Sequence, residues 1–232
     1  MTLASPKSFF QVWMDALTKP SEFTFSAIAN LPGAKATTAY LWIFVGYLIQ
    51  FFLSFLVQGF ALRRMMESYG GSGRFAGGFG GGLILAVFGA PIFAVIATVF
   101  FAIGTAIVQW IAKMFGGKGS NGQLAYALAA ILAPFSIITG LLSLLSAIPL
   151  VGLCFSLVLA IAGLYILVLQ IMAVKGVNQF GWGAAIGSLF IPGLVIGFLI
   201  ACAVIAGLAV LGPIIRDTFQ QIQQGLGTTP GY

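Results

Sequence analysis

The sequence predicts an all-α integral membrane protein: a five-transmembrane-helix bundle with an N-terminal interfacial amphipathic helix. Three observations lead there. Charged residues make up 6% of the chain and hydrophobic ones 60%, where a soluble domain carries about 25% charge. The apolar residues gather in five runs, each long enough to cross a hydrocarbon core. Ahead of them, Lys7 to Lys19 is two-faced rather than uniformly apolar. The expected division is an interfacial segment (1–37), a five-span membrane domain (38–213) and a polar tail (214–232).

The N-terminal segment reads as a helix opened by Ser5 as N-cap and Pro6 at the first helical position. On a helical wheel Phe9, Phe10, Val12, Trp13, Met14, Ala16 and Leu17 share one arc, and Pro20 ends the run. Phe9, Phe10, Trp13 and Leu17 are the expected membrane-interface residues. A helix packed on another protein subunit gives the same wheel. A second short helix over 21–30 would immerse Phe23, Phe25 and Ile28 in part before Leu31-Pro32-Gly33 breaks it. No cleavable signal peptide is expected, because the first long apolar run begins only near Thr38.

The spans are expected at about 38–62, 83–112, 123–145, 150–174 and 184–211. Tyr40, Trp42 and Tyr47 give the first an interfacial aromatic belt, and Arg63-Arg64 stops it. The glycine-rich stretch from Met65 to Gly82 reads as a flexible connection. Pro91 is positioned to kink the second span. Pro134 lies inside the third, and Ser146 to Pro149 makes a tight hairpin into the fourth. Lys175-Gly176 ends the fourth span, and Pro192 interrupts the fifth. Five spans put the termini on opposite sides. All six lysines then fall on the N-terminal side and all four arginines on the other, which favours a cytoplasmic N-terminus. We have no physical account of that Lys/Arg segregation.

The residues that carry chemistry are sparse. There is no His, which removes imidazole ligation and His as a general base. Cys154 and Cys202 both sit inside apolar spans and are too few for a zinc site. The only carboxylates, Asp15, Glu22, Glu67 and Asp217, form no close pair in sequence. GGKGS at Gly116 to Ser120 is not a phosphate loop, since Gly119 separates Lys118 from the serine and an apolar helix precedes it. No catalytic group, metal or cofactor is therefore expected. The net charge of +6 sits in short loops beside the spans, where anionic headgroups explain it without nucleic acid.

The spans hold no charged residue, which speaks against an ion-coupled transporter. Their polar groups, including Gln50, Gln109, Ser136, Tyr165 and Gln170, read as interhelical hydrogen bonds or the lining of a polar path. Gly183-x-x-x-Gly187 and Gly193-x-x-x-Gly197, extended by Ala201, are GxxxG spacings. They allow close helix approach, either within the bundle or against a second membrane protein or another copy.

Four features resemble one family. These are the aromatic segment Phe9 to Pro20 followed by Phe23, the Gly116-Gly117-Lys118-Gly119 loop inside FGGKGS-x-x-Q, and Pro134 in the span after it. The fourth is the run through Tyr165 and Gln170 into AVKGVNQFGWGAA. Together they resemble the Yip (Ypt/Rab-interacting protein) domain family of small multispan membrane proteins. The resemblance implies five spans, a cytoplasmic N-terminus and a short tail opposite. Eukaryotic members resemble vesicle-traffic factors that contact Rab-type GTPases through a long cytosolic N-terminal region. Here about 37 residues precede the first span, without those contact motifs, so no Rab-type GTPase is expected. The chain is more similar to the compact prokaryotic branch, which implies a bacterial inner-membrane location and no established activity. The expected function is a non-enzymatic scaffold or accessory subunit acting through helix–helix and lipid contacts. Two alternatives stand beside it. Pro91, Pro134 and Pro192 motivate a lipid-handling or passive small-solute transporter. The Lys7–Lys19 helix motivates membrane shaping by a wedge.

Overall fold

The computed structural model describes residues 7–68, 79–147, 149–195, 197–198, 201–202 and 204–206. Among these, every regular element is helical. The helices are α1 (Phe9–Thr18), α2 (Glu22–Ala29), α3 (Ala36–Ser68), α4 (Phe79–Ile84), α5 (Ala90–Met114), α6 (Asn121–Ser143) and α7 (Pro149–Asn178). A π-turn at Leu85–Gly89 joins α4 to α5, and a 3₁₀ turn at Leu144–Ala147 follows α6. A shorter apolar helix, α8 (Trp182–Val195), comes after α7. Residues Met1–Leu189 form one compact unit and Phe190–Tyr232 a second. In the second unit the described residues present exposed apolar side chains, among them Leu194, Phe198 and Ile205.

Four stretches are long and apolar enough to cross a membrane: Ala36–Gly59, Gly81–Met114, Asn121–Ser143 and Leu157–Asn178. The expected fifth, 184–211, is represented by α8, and much of its second half lies outside the described residues. So do the 214–232 tail and most of the glycine-rich connection.

Helix α6 is the centre of the first unit. Two-thirds of it is buried, against about a fifth for each of the other spans. Its composition explains this: Ala125, Ala127, Ala129, Ala130 and Ala133 are all fully buried and keep its outline thin. A helix apolar all round belongs inside, and small residues let neighbouring backbones come close without a solvent-driven force.

Helix α3 runs parallel to α6 and lies closest to it. A Cβ on Gly46 would sit 2.9 Å from the Ala133 carbonyl oxygen, and one on Gly140 would sit 2.7 Å from the Gln50 Cα. Trp42 on α3 meets Tyr126 on α6 with ring centroids 4.8 Å apart. Helix α5 runs antiparallel to α3 and packs on it through aromatics. Tyr47, Phe51 and Phe55 stack at 5.8 and 6.1 Å, and Phe93 meets Phe51 and Phe55 at 5.8 and 5.5 Å.

Several boundaries differ from expectation. Helix α1 starts at Phe9, because Ser8 and Gln11 form a capping box that satisfies two backbone donors at once. The Ser5 cap lies outside the described residues. Arg63-Arg64 ends the apolar run but not the helix, which continues to Ser68; arginine is among the better helix formers. Helix α4 begins four residues before Leu83 despite its glycines. Gly82 is needed there, since a Cβ on it would meet the Gly59 Cα at 3.0 Å. Pro91 stands at the start of α5, immediately after the π-turn, so the local change in winding precedes it. Lys175-Gly176 does not end α7, which reaches Asn178. Phe25 and Ile28 are buried in the protein core rather than immersed in lipid, while Phe23 is 78% exposed.

Gly140→Ala should cost about 1–3 kcal/mol through forced separation of α3 and α6. Gly104→Ala, where a Cβ meets nothing within 4 Å among the described residues, should be neutral or slightly stabilising. Thermal unfolding in detergent checks the pair, and equal melting points would refute this account of the α3–α6 seam.

Candidate functional site

The lysine-bearing end of the first unit gathers the sequence's most distinctive loop and its N-terminal helices. The loop follows from local rules. Gly116 has φ +84°, the left-handed conformation that favours glycine after a helix. Its N–H donates to the Lys113 carbonyl at 3.0 Å, and the Gly117 N–H donates to the Ala112 carbonyl at 2.8 Å. These bonds form a Schellman cap on α5. Ser120 then caps α6, accepting from the Gln123 N–H while its own N–H donates to Gln123 Oε1 at 2.9 Å.

Between the two caps, the loop leans on the end of α7. A Cβ on Gly117 would fall against the Asn178 side chain, and one on Gly119 would lie 2.9 Å from the Val177 carbonyl oxygen. The Lys118 N–H donates to the Asn178 carbonyl at 3.1 Å, while the Lys118 side chain is exposed. Gln109 of α5 donates to the Gly119 carbonyl at 2.7 Å and to Asn178 Oδ1 at 2.8 Å. Asn178 donates in turn to the Val174 carbonyl at 3.1 Å. Both amides are buried. Their mutual bonds are what make that burial tolerable. Gly116, Gly117 and Gly119 are therefore explained by backbone conformation and close approach. Pro134 is buried inside α6 on the same central helix.

Helices α1 and α2 lie against the bundle as a hairpin. Val12 and Ala16 are buried, and Trp13 and Leu17 pack partly against the core. Trp13 meets Trp42 at 5.7 Å. Phe9 and Phe10 stay exposed, so the apolar arc of α1 serves two neighbours. Tyr165 Oη donates to the Leu17 carbonyl at 2.6 Å. Lys175 pairs with Glu22 and lies 4.4 Å over the Trp182 ring. A Cβ on Gly176 would strike the Glu22 carbonyl oxygen. Asp15 accepts from Lys7 at 2.8 Å and from Lys19 at 3.0 Å. The Lys7 and Lys19 hydrogen bonds hold the Asp15 carboxyl below its ordinary value of 3.8.

The small-residue positions behave otherwise. Among the described residues, a Cβ on Gly183, Gly193 or Gly197 would meet nothing within 4 Å. On α8 the buried positions are Ala185 and Ser188; Gly187 is half-buried and Ala201 exposed. Close helix contacts fall at Gly46, Gly140 and Gly176, outside any GxxxG. No cluster of three potential metal ligands occurs among the described residues. Asn178 escaped the sequence reading. Its available signal was an amide at the end of one span facing Gln109, an amide near the same end of another.

Asn178→Leu should lower stability by about 1–3 kcal/mol, because it strands the buried Gln109 amide. Adding Gln109→Leu should recover part of that loss, read as melting temperature in detergent. Asp15 has a depressed folded-state pKa. Its stabilisation of α1 is thus present above 3.8 and lost as the pH falls through the lowered value. Trp13 fluorescence should hold steady from neutral pH down to that range and change below it. Asp15→Asn should abolish the transition.

Among known proteins, no curated protein and no solved structure matches the chain. The family described as the Yip1 domain matches it over residues 14–205. That stretch takes in the glycine loop, the Gln109–Asn178 contact and all four membrane-crossing helices. This chain belongs to the Yip1 domain family of multi-pass membrane proteins.

Proposed function

We propose that the protein is a non-enzymatic membrane scaffold or accessory subunit, working through helix–helix and lipid contacts from a bacterial inner membrane with its N-terminus in the cytoplasm. The observation that carries this reading is the open space at the small residues Gly183 in the first unit and Gly193 and Gly197 in the second. Glycines in lipid-facing helices cost conformational entropy and are most useful where another backbone comes close. At Gly183 in the first unit, and at Gly193 and Gly197 in the second, the described residues of the same unit supply no such backbone within 4 Å of a Cβ. A partner helix or a second copy would supply it.

A second reading, lipid handling, draws support from a groove of about 400 Å³ lined by Ile49, Phe52, Val87 and Pro91. It opens beside the π-turn, a winding often found at functional positions.

The deciding experiment purifies the tagged chain in mild detergent and identifies stoichiometric companions, protein and lipid. On the first reading, Gly193→Leu with Gly197→Leu should abolish recovery of a membrane partner, or self-association, while monomer stability holds. Unchanged assembly and recovery would remove the binding face. Transport of lipid into proteoliposomes above empty vesicles would favour the second reading.

A further inference from the structure

We propose that the cleft between α1 and α2 is a binding site for the phosphate of an anionic phospholipid. The cleft has a volume of about 330 Å³, and Lys7, Asp15, Lys19, Phe23 and Thr24 line it. Asp15 holds one ammonium on each carboxylate oxygen, at 2.8 and 3.0 Å. That fixes the two cations on either side of a single anion and leaves a net charge of +1. Each ammonium has three N–H donors and spends one on Asp15. The rest point from side chains that remain 44% and 73% exposed. A phosphodiester has two non-bridging oxygens to accept them, and hydrogen bonds between ionised partners are the strong ones.

The position of the cleft selects a lipid over a soluble anion. Lys175, three residues before the end of the membrane-crossing Leu157–Asn178 helix, pairs with Glu22, three residues after Lys19. The cleft therefore stands at the lysine-bearing end of that helix, where lipid headgroups lie. Phe23, 78% exposed, lines the cleft. It also lines a second cleft of about 330 Å³, which contains the Glu22–Lys175 pair. Phe9 and Phe10 are exposed on α1 itself. Cations beside exposed aromatic rings match a molecule with a charged headgroup and an acyl chain. Dissolved phosphate gains nothing from the rings. The site stands independently of any scaffold role.

The test uses the full chain in detergent, with phosphatidylglycerol and phosphatidylcholine as probes and native mass spectrometry as the readout. The wild type should prefer phosphatidylglycerol. Lys7→Gln with Lys19→Gln should weaken that preference about thirtyfold, the loss expected for two cations near anionic headgroups. Lys35→Gln with Lys113→Gln removes the same charge from exposed residues elsewhere at this end and should leave the preference intact. If the first pair misfolds by melting temperature, Lys19→Gln alone should weaken it about fivefold, since that side chain is the more exposed. Equal losses in both pairs, or none in either, would overturn the site. Displacement of the lipid by millimolar inorganic phosphate would reassign it to a soluble anion.

Discussion

The thin outline of α6 is the constraint on which the first unit depends. Lipid tails are as apolar as leucine, so helices in a membrane are not pressed together by water. They associate where backbones can come close, and the alanines of α6 with Gly140 make that possible on several sides at once. The seam with α3 is the tightest part, built where Gly46 faces Ala133 and Gly140 faces Gln50. The bulky residues follow from it. Once α3 is seated, its aromatic ladder is presented to Phe93, and α5 packs by ring contact.

The ends of the helices are fastened by a different logic. In the hydrocarbon a polar group must find its partner within the protein, and here amides supply most of the fastening. Gln109, Asn178 and the loop backbone close a circuit joining α5, α7 and the turn that leads into α6. One loop of few residues thus ties three spans at the lysine-bearing end. Its glycines serve three separate needs: a left-handed cap at Gly116 and close approach at Gly117 and Gly119. Lys118 lies between them, its backbone engaged and its side chain outward.

The N-terminal hairpin adds charge to this end without adding it to the membrane interior. Its ion pairs are partly exposed, and such pairs contribute little stability singly. Burial of Val12, Ala16, Phe25 and Ile28 carries the docking, and the ion pairs set where the lysines stand.

The sequence by itself determined the membrane class, four of the helical spans and the family. Each rests on local quantities: apolar run length, charge scarcity and a loop whose spacing follows from capping rules. Tertiary structure decided the rest. The wheel of α1 could not say which of its apolar residues meet protein, because Val12 and Phe9 look alike until a neighbour is placed beside one of them. Arg63-Arg64 and Lys175-Gly176 marked changes in solvent, yet helices continue through both, since backbone hydrogen bonding is indifferent to that boundary. The GxxxG spacings allow close approach without naming a neighbour, whereas Gly46 and Gly140, outside any such spacing, meet the backbones of Ala133 and Gln50. A glycine's neighbour is a property of two helices at once, and only their packing names it.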